Sequence, residues 1–117
     1  MDDLATYPPF VFESTGHAPG YALRLHDGHM AAADAVFAAA GWSSGGHGWE
    51  GVARFLLDSG ATTGGGPVSF DSEAGMFACY SADPVALDRL AALLQTLHRD
   101  HAALARLLAQ ANDARTG

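Results

Sequence analysis

Apolar and polar positions alternate along residues 21–26: Tyr21, Leu23 and Leu25 share one side, Ala22, Arg24 and His26 the other. A period of two predicts a half-buried strand. Phe10-Val11-Phe12-Glu13 predicts a shorter strand before it, and Gly16, Pro19 and Gly20 break the chain between them, so the pair predicts a hairpin. From Asp27 the spacing lengthens. Met30, Ala33, Phe37 and Ala40 recur at helical intervals, with Asp27 placed to cap the helix and Gly41 to stop it. Residues 41–48 hold four glycines and two serines and predict a loop. A second helix is expected from Trp49, with Trp49, Val52 and Leu56 on one face, Phe55 beside them and Gly60 at its end.

The second half repeats the order without repeating the residues. Residues 61–67 contain Gly64-Gly65-Gly66 but lack the Lys-Ser/Thr that follows the last glycine of a phosphate loop, which predicts a flexible connector. Val68-Ser69-Phe70 and Met76–Tyr80 predict strands, joined by a five-residue connection, Asp71–Gly75. Asp83-Pro84 is an N-cap followed by proline at the first helical position. Leucines then recur at 87, 90, 94 and 97, and the stripe continues through His101, Leu104, Leu107 and Leu108. One long helix fits this pattern, and so do two helices broken between His98 and Asp100. The order ββααββαα predicts an α+β fold: an antiparallel sheet made from two hairpins, with helix pairs packed on one face. The expected organisation is an N-terminal arm at 1–9, a single domain at 10–113 and a tail at 114–117. The pattern leaves open how the hairpins join.

Composition narrows the function. A chain of 117 residues, 49% hydrophobic and 16% charged, is long enough for one core and too apolar for disorder. Thirteen acidic residues against six basic ones, all arginine, give a net charge of −7. Such a field repels phosphate backbones and suits a basic protein partner. Cys79 is the single cysteine, so no intrachain disulfide forms and a reducing, cytoplasmic setting is expected. The N-terminus, MDDLATYPPF, has no basic region and predicts no signal peptide, and no apolar run approaches the roughly 20 residues of a membrane span.

Candidate chemistry is sparse. Six histidines invite a metal site, but no Glu or Cys supports His26 and His29, or His98 and His101, at ligand spacing. His101 continues the leucine stripe, which places it at the core edge with a hydrogen-bonded nitrogen. No serine elbow is present, and Cys79 sits in an apolar strand. Neither a catalytic residue, a metal nor a cofactor is therefore expected. Two features look like contact surface. Trp42, His47 and Trp49 cluster in the glycine-rich stretch: Trp49 opens an apolar helix face and is the better core anchor, and Trp42 is either a second loop anchor or exposed for a partner. Asp71 and Glu73 share one tight connection, as a solvated turn or a patch for a cationic partner.

Two segments resemble immunity protein family 51 of bacterial polymorphic toxin systems. The first is Gly41-Trp42-Ser43-Ser44-Gly45-Gly46-His47-Gly48-Trp49-Glu50, followed by Val52-Ala53-Arg54. It departs from the family pattern at Gly45, His47 and Gly48. The second is Phe70-Asp71-Ser72-Glu73-Ala74-Gly75-Met76-Phe77 with Tyr80-Ser81, similar to the family's acidic hairpin running into Met-Phe. The resemblance covers roughly residues 20–100. It implies a small cytoplasmic antitoxin that binds and blocks one cognate toxin domain. Independently of the resemblance, the chain is expected to be a monomer or weak homodimer. The matching positions Trp42, His47, Trp49, Asp71 and Glu73 are the implied partner-binding residues. The rival classes are a small metal-dependent or hydrolytic enzyme using the histidines, and a ligand-binding regulatory domain with a pocket closed by residues 41–48.

Overall fold

The computed structural model describes residues 6–18, 20–60 and 67–116. Residues 61–66 of the connector expected at 61–67, and the first five residues of the arm, lie outside the described residues. The elements are β1 (Val11–Ser14), β2 (Tyr21–His26), α1 (Asp34–Ala39), α2 (Gly45–Asp58), β3 (Ser69–Phe70), β4 (Met76–Ser81), α3 (Pro84–Arg99) and α4 (His101–Thr116). This is the α+β order expected from the sequence.

The two hairpins join through β2 and β4 into one antiparallel sheet of order β1-β2-β4-β3. Leu23 pairs with Cys79 and Leu25 with Phe77, and these four enter the core, covered by α2 and α3. Strand alternation puts Arg24, His26, Met76 and Tyr80 on the opposite face. There Arg24 pairs with Glu13 of β1 and lies over the Tyr80 ring of β4, 5.8 Å from its centroid, so one side chain ties three strands together.

Several boundaries differ from the sequence reading. The helix expected from Asp27 divides into two 3₁₀ turns, Asp27–His29 and Ala31–Ala33, before α1 begins. Met30, between the two turns, and Ala33, at the end of the second, are buried along with Phe37 of α1. Asp27 falls inside the first turn and does not cap it. Gly41, at φ +78°, ends α1 as expected. The long leucine stripe is two helices. Asp100 leaves helical geometry at φ −122° and ψ 92°, and its carboxylate accepts the Ala103 N–H at 3.1 Å, capping α4. Asp83 caps α3 in the same way, accepting from Val85 N–H at 2.9 Å.

Trp49 has no exposed surface and lies edge-on to Phe10 (5.9 Å) and Phe37 (5.5 Å). The His98 ring closes this group, 5.8 Å from Trp49 and 5.9 Å from Phe10, and its Nε2 donates to the His29 carbonyl at 2.6 Å. A carbonyl only accepts, so the bond fixes the proton on Nε2. His98, then, is the histidine bonded at the core edge where the stripe pointed to His101; the break at Asp100 separates the two. Burial pushes the Cys79 thiol above its usual range, with Glu50 adding to the shift, so it packs as an inert side chain. Residues 7–10 lie along α3. The Tyr7 hydroxyl donates to Asp88 at 2.5 Å, Gln95 Nε2 donates to the Pro8 carbonyl at 2.9 Å, and Phe10 is buried. Among the described residues, no helix is long and apolar enough to cross a membrane.

Two predictions follow from this packing. Trp49→Ala should cost about 3–5 kcal/mol, as for other buried aromatics, read from the urea midpoint; an unchanged midpoint would contradict the packing. The bond to Asp88, with desolvation and the carboxylate's charge, raises the Tyr7 pKa from 10.0 to about 12. A raised folded pKa gives stability that is complete below the unfolded pKa and is lost as pH rises through the folded one. Tyr7→Phe should therefore cost about 1 kcal/mol at pH 8, the ordinary worth of a partly exposed hydrogen bond. The gap to wild type should close between pH 10 and about 12.

Candidate functional site

The two sequence motifs meet in space, and backbone joins them. In the second motif the antiparallel register runs past the end of β3: Asp71 N–H donates to the Ala78 carbonyl at 3.0 Å, and Glu73 and Met76 exchange both backbone bonds at 2.8 and 3.1 Å. The connection expected as five residues is therefore a two-residue turn, Ala74-Gly75. Ser72 sustains the ladder between these pairs, its Oγ accepting the Ala78 N–H at 3.1 Å. Ser81 of the same motif is buried; its Oγ donates to the Pro67 carbonyl at 2.8 Å and accepts the Asp83 N–H at 3.0 Å.

The first motif starts a helix where a loop was expected: α2 begins at Gly45, four residues before Trp49. Glycine is about 1 kcal/mol worse than alanine in a helix, so propensity does not explain this start. Contact does. A Cβ on Gly45, already at φ +73°, would stand 2.5 Å from the Ala74 carbonyl oxygen, and one on Gly46 would stand 1.9 Å from that of Glu73. With no side chains in the way, the first turn of α2 lies directly on the β3–β4 turn. Gly46 N–H donates to the Ala74 carbonyl at 3.0 Å, whereas the N-cap Ser44 makes no side-chain capping bond. The hairpin turn thus satisfies a free helix N–H in place of a capping side chain.

The side chains of the five sequence-derived positions leave this junction in different directions. Asp71 and Glu73 are exposed, and alternation puts them on the sheet face turned away from α2 and α3. Trp49 points into the core, so it forms the site's foundation and offers no surface. Trp42 and His47 line a groove of about 810 Å³ running along α2 to the last turns of α4. Arg54, Phe55 and Asp58 also line it. Gly51 makes room for the Trp42 ring, since a Cβ there would lie 2.7 Å from the indole Cζ3.

Sequence reasoning missed the residue that fixes Trp42. Asn112 of α4 accepts from the indole Nε1–H at 2.8 Å, while its own amide donates to the Ala40 carbonyl at 3.0 Å. An asparagine late in an otherwise apolar stripe was the available signal. Arg54 was also missed as a site residue; it pairs with Glu50 at 3.0 Å and lies over the Phe70 ring at 4.4 Å, linking α2 to the edge strand. Among the described residues, no three His, Cys, Asp or Glu side chains converge to hold a metal ion.

The family model for Immunity protein 51 matches residues 10–113, most of the chain. No curated protein and no solved structure matches it significantly.

The junction makes a sharp prediction. Gly46→Ala should lower stability by about 3 kcal/mol, the upper end of overpacking costs, because the obstruction is backbone. Gly28→Ala, with open space around its Cβ, should change stability by less than about 1 kcal/mol. Equal denaturation midpoints for the two variants would overturn the junction's role.

Proposed function

We propose that this chain, which belongs to the Immunity protein 51 family, acts in the cytoplasm by binding one cognate toxin domain and covering its working surface, with no chemistry of its own. The observation that carries the reading is the placement of Asp71 and Glu73. Both are exposed at the end of a two-residue hairpin whose backbone is braced from behind by α2. A braced turn presents carboxylates without a large ordering cost on binding. The net charge of −7 favours a basic toxin surface, and a nuclease, whose groove must attract phosphate, is the toxin class it suits best. An immunity protein must bind tightly, for which an interface of roughly 1,600 Å² is ordinary. The protein acts as a monomer or weak homodimer.

A ligand-binding role is the second reading, favoured by the groove along Trp42 and His47, which the 41–48 segment walls as that reading requires. Co-expression separates the two. The cognate toxin domain, sought in the neighbouring gene, should stop growth alone, and this protein should restore growth and co-purify with it. A toxin left active by the co-expressed protein would count against the immunity reading.

The contact has its own test. Asp71→Arg with Glu73→Arg should leave the melting curve near wild type, because both side chains are exposed. A carboxylate at a solvated rim adds little, but truncating one that is desolvated on binding costs about 2–5 kcal/mol. Toxin affinity should therefore fall by at least that of one desolvated carboxylate, and added salt should slow the wild-type association. A collapsed fold or an untouched affinity would confine these residues to bracing the hairpin.

A further inference from the structure

The groove beside α2 combines two aromatic side chains with a carboxylate that enters no ion pair among the described residues. Building on the immunity reading above, we propose that it receives an arginine side chain of the bound toxin, stacked on Trp42 and Phe55 and paired with Asp58.

Charge selects the occupant. Among the described residues two charged side chains line the groove, Arg54 and Asp58, and they are not equivalent. Arg54 is engaged within the protein, its Nε 3.0 Å from Glu50 and its guanidinium over Phe70. Asp58 lies four residues on, is exposed, and enters none of the ion pairs among the described residues. It is also the last residue of α2, where its charge faces the negative pole of the helix. A cation arriving there gains the carboxylate and the helix end together.

The aromatic wall selects among cations. Trp42 and Phe55 are half-buried, and each keeps surface in the groove. A flat guanidinium stacks on such rings while donating in its own plane to a carboxylate, which a lysine ammonium cannot do. Trp42 is held before the ligand arrives, by Asn112 at one edge and by the space over Gly51 at another, so little freedom is lost on binding. Among the described residues, His47 is the remaining titratable group lining the groove.

The test uses the full chain and a simple probe. The two tryptophans give two indole N–H signals in a nitrogen-15 NMR spectrum. Titration with Ac-Gly-Arg-Gly-amide should move the Trp42 signal saturably and leave buried Trp49 in place. The citrulline version of the peptide, of the same shape but neutral, and a leucine version should bind at least about tenfold more weakly, and Asp58→Asn should lose about the same for the arginine peptide with the melting curve unchanged. A still Trp42 signal, an equal response to citrulline or leucine, or indifference to Asp58→Asn would overturn the assignment. Toxin binding separates this inference from the reading beneath it. Asp58→Asn should also weaken the toxin complex by about tenfold or more. If wild type neutralises the toxin yet ignores the peptide and the substitution, the groove assignment alone fails. If it takes the peptide yet does not bind the toxin, the toxin as source of the arginine fails together with the immunity reading.

Discussion

Everything at the candidate site depends on how closely a helix can approach a hairpin turn. α2 reaches the β3–β4 turn through glycine, and the distance from an ideal Gly46 Cβ to the Glu73 carbonyl, 1.9 Å, shows that no other residue fits there without moving backbone. That approach has several consequences at once. It gives the helix start a carbonyl acceptor, it holds the turn that carries Asp71 and Glu73, and it sets the depth at which Trp49 enters the core one turn later. The glycine-rich motif and the acidic motif are therefore the two halves of one contact, separated by more than twenty residues of chain.

Behind that contact the core is organised around rings. Trp49 is edge-on to Phe10 and Phe37, with His98 laid against its other side and bonded to the backbone at His29. Phe10 comes from the segment before β1, Phe37 from α1, Trp49 from α2 and His98 from α3. Three helices and the segment before β1 thus share one cluster. Such a scaffold suits a protein whose surface must already be in place when its partner arrives, since rigid presentation lowers the entropic cost of association.

How far the sequence could be read varies with the range of the cause. Local causes show in most places: alternation at Tyr21, Leu23 and Leu25, the Asp83-Pro84 start and the Gly41 stop match the structure, whereas Asp27 lies inside a 3₁₀ turn and does not cap it. The leucine stripe stayed ambiguous because periodicity does not register a break at one residue; the Asp100 carboxylate, capping the next helix, decides it. The glycine run misled because its reason is tertiary. Read by propensity, Gly45, Gly46 and Gly48 make a loop; packed against Glu73, Ala74 and Ser43, they make the first turn of a helix. Of the residues lining the groove, Trp42 and His47 stood out by residue type alone. Asp58, the carboxylate of the proposed arginine contact, did not, since a carboxylate at a helix end stands out only once its neighbour Arg54 is seen to face Glu50 and Phe70. Asn112 was hidden for the same reason, its two partners lying some seventy residues away along the chain.

The order of strands bears on how the molecule comes to be assembled. Each hairpin pairs neighbours in sequence, but the join at the middle of the sheet couples Tyr21 to Ser81 and His26 to Met76, separations of 60 and 50 residues. Closing so long a loop is unfavourable until the contacts it enables have formed, so this pairing governs the folding barrier. A growing chain on the ribosome can zip β1 to β2 and wind α1 and α2 early. It then carries a half-sheet with an unpaired edge on β2 and a bare Leu23–Leu25 face until residue 81 has emerged. The exposed interval belongs to synthesis rather than to the finished protein, and it is the stage at which aggregation competes with folding.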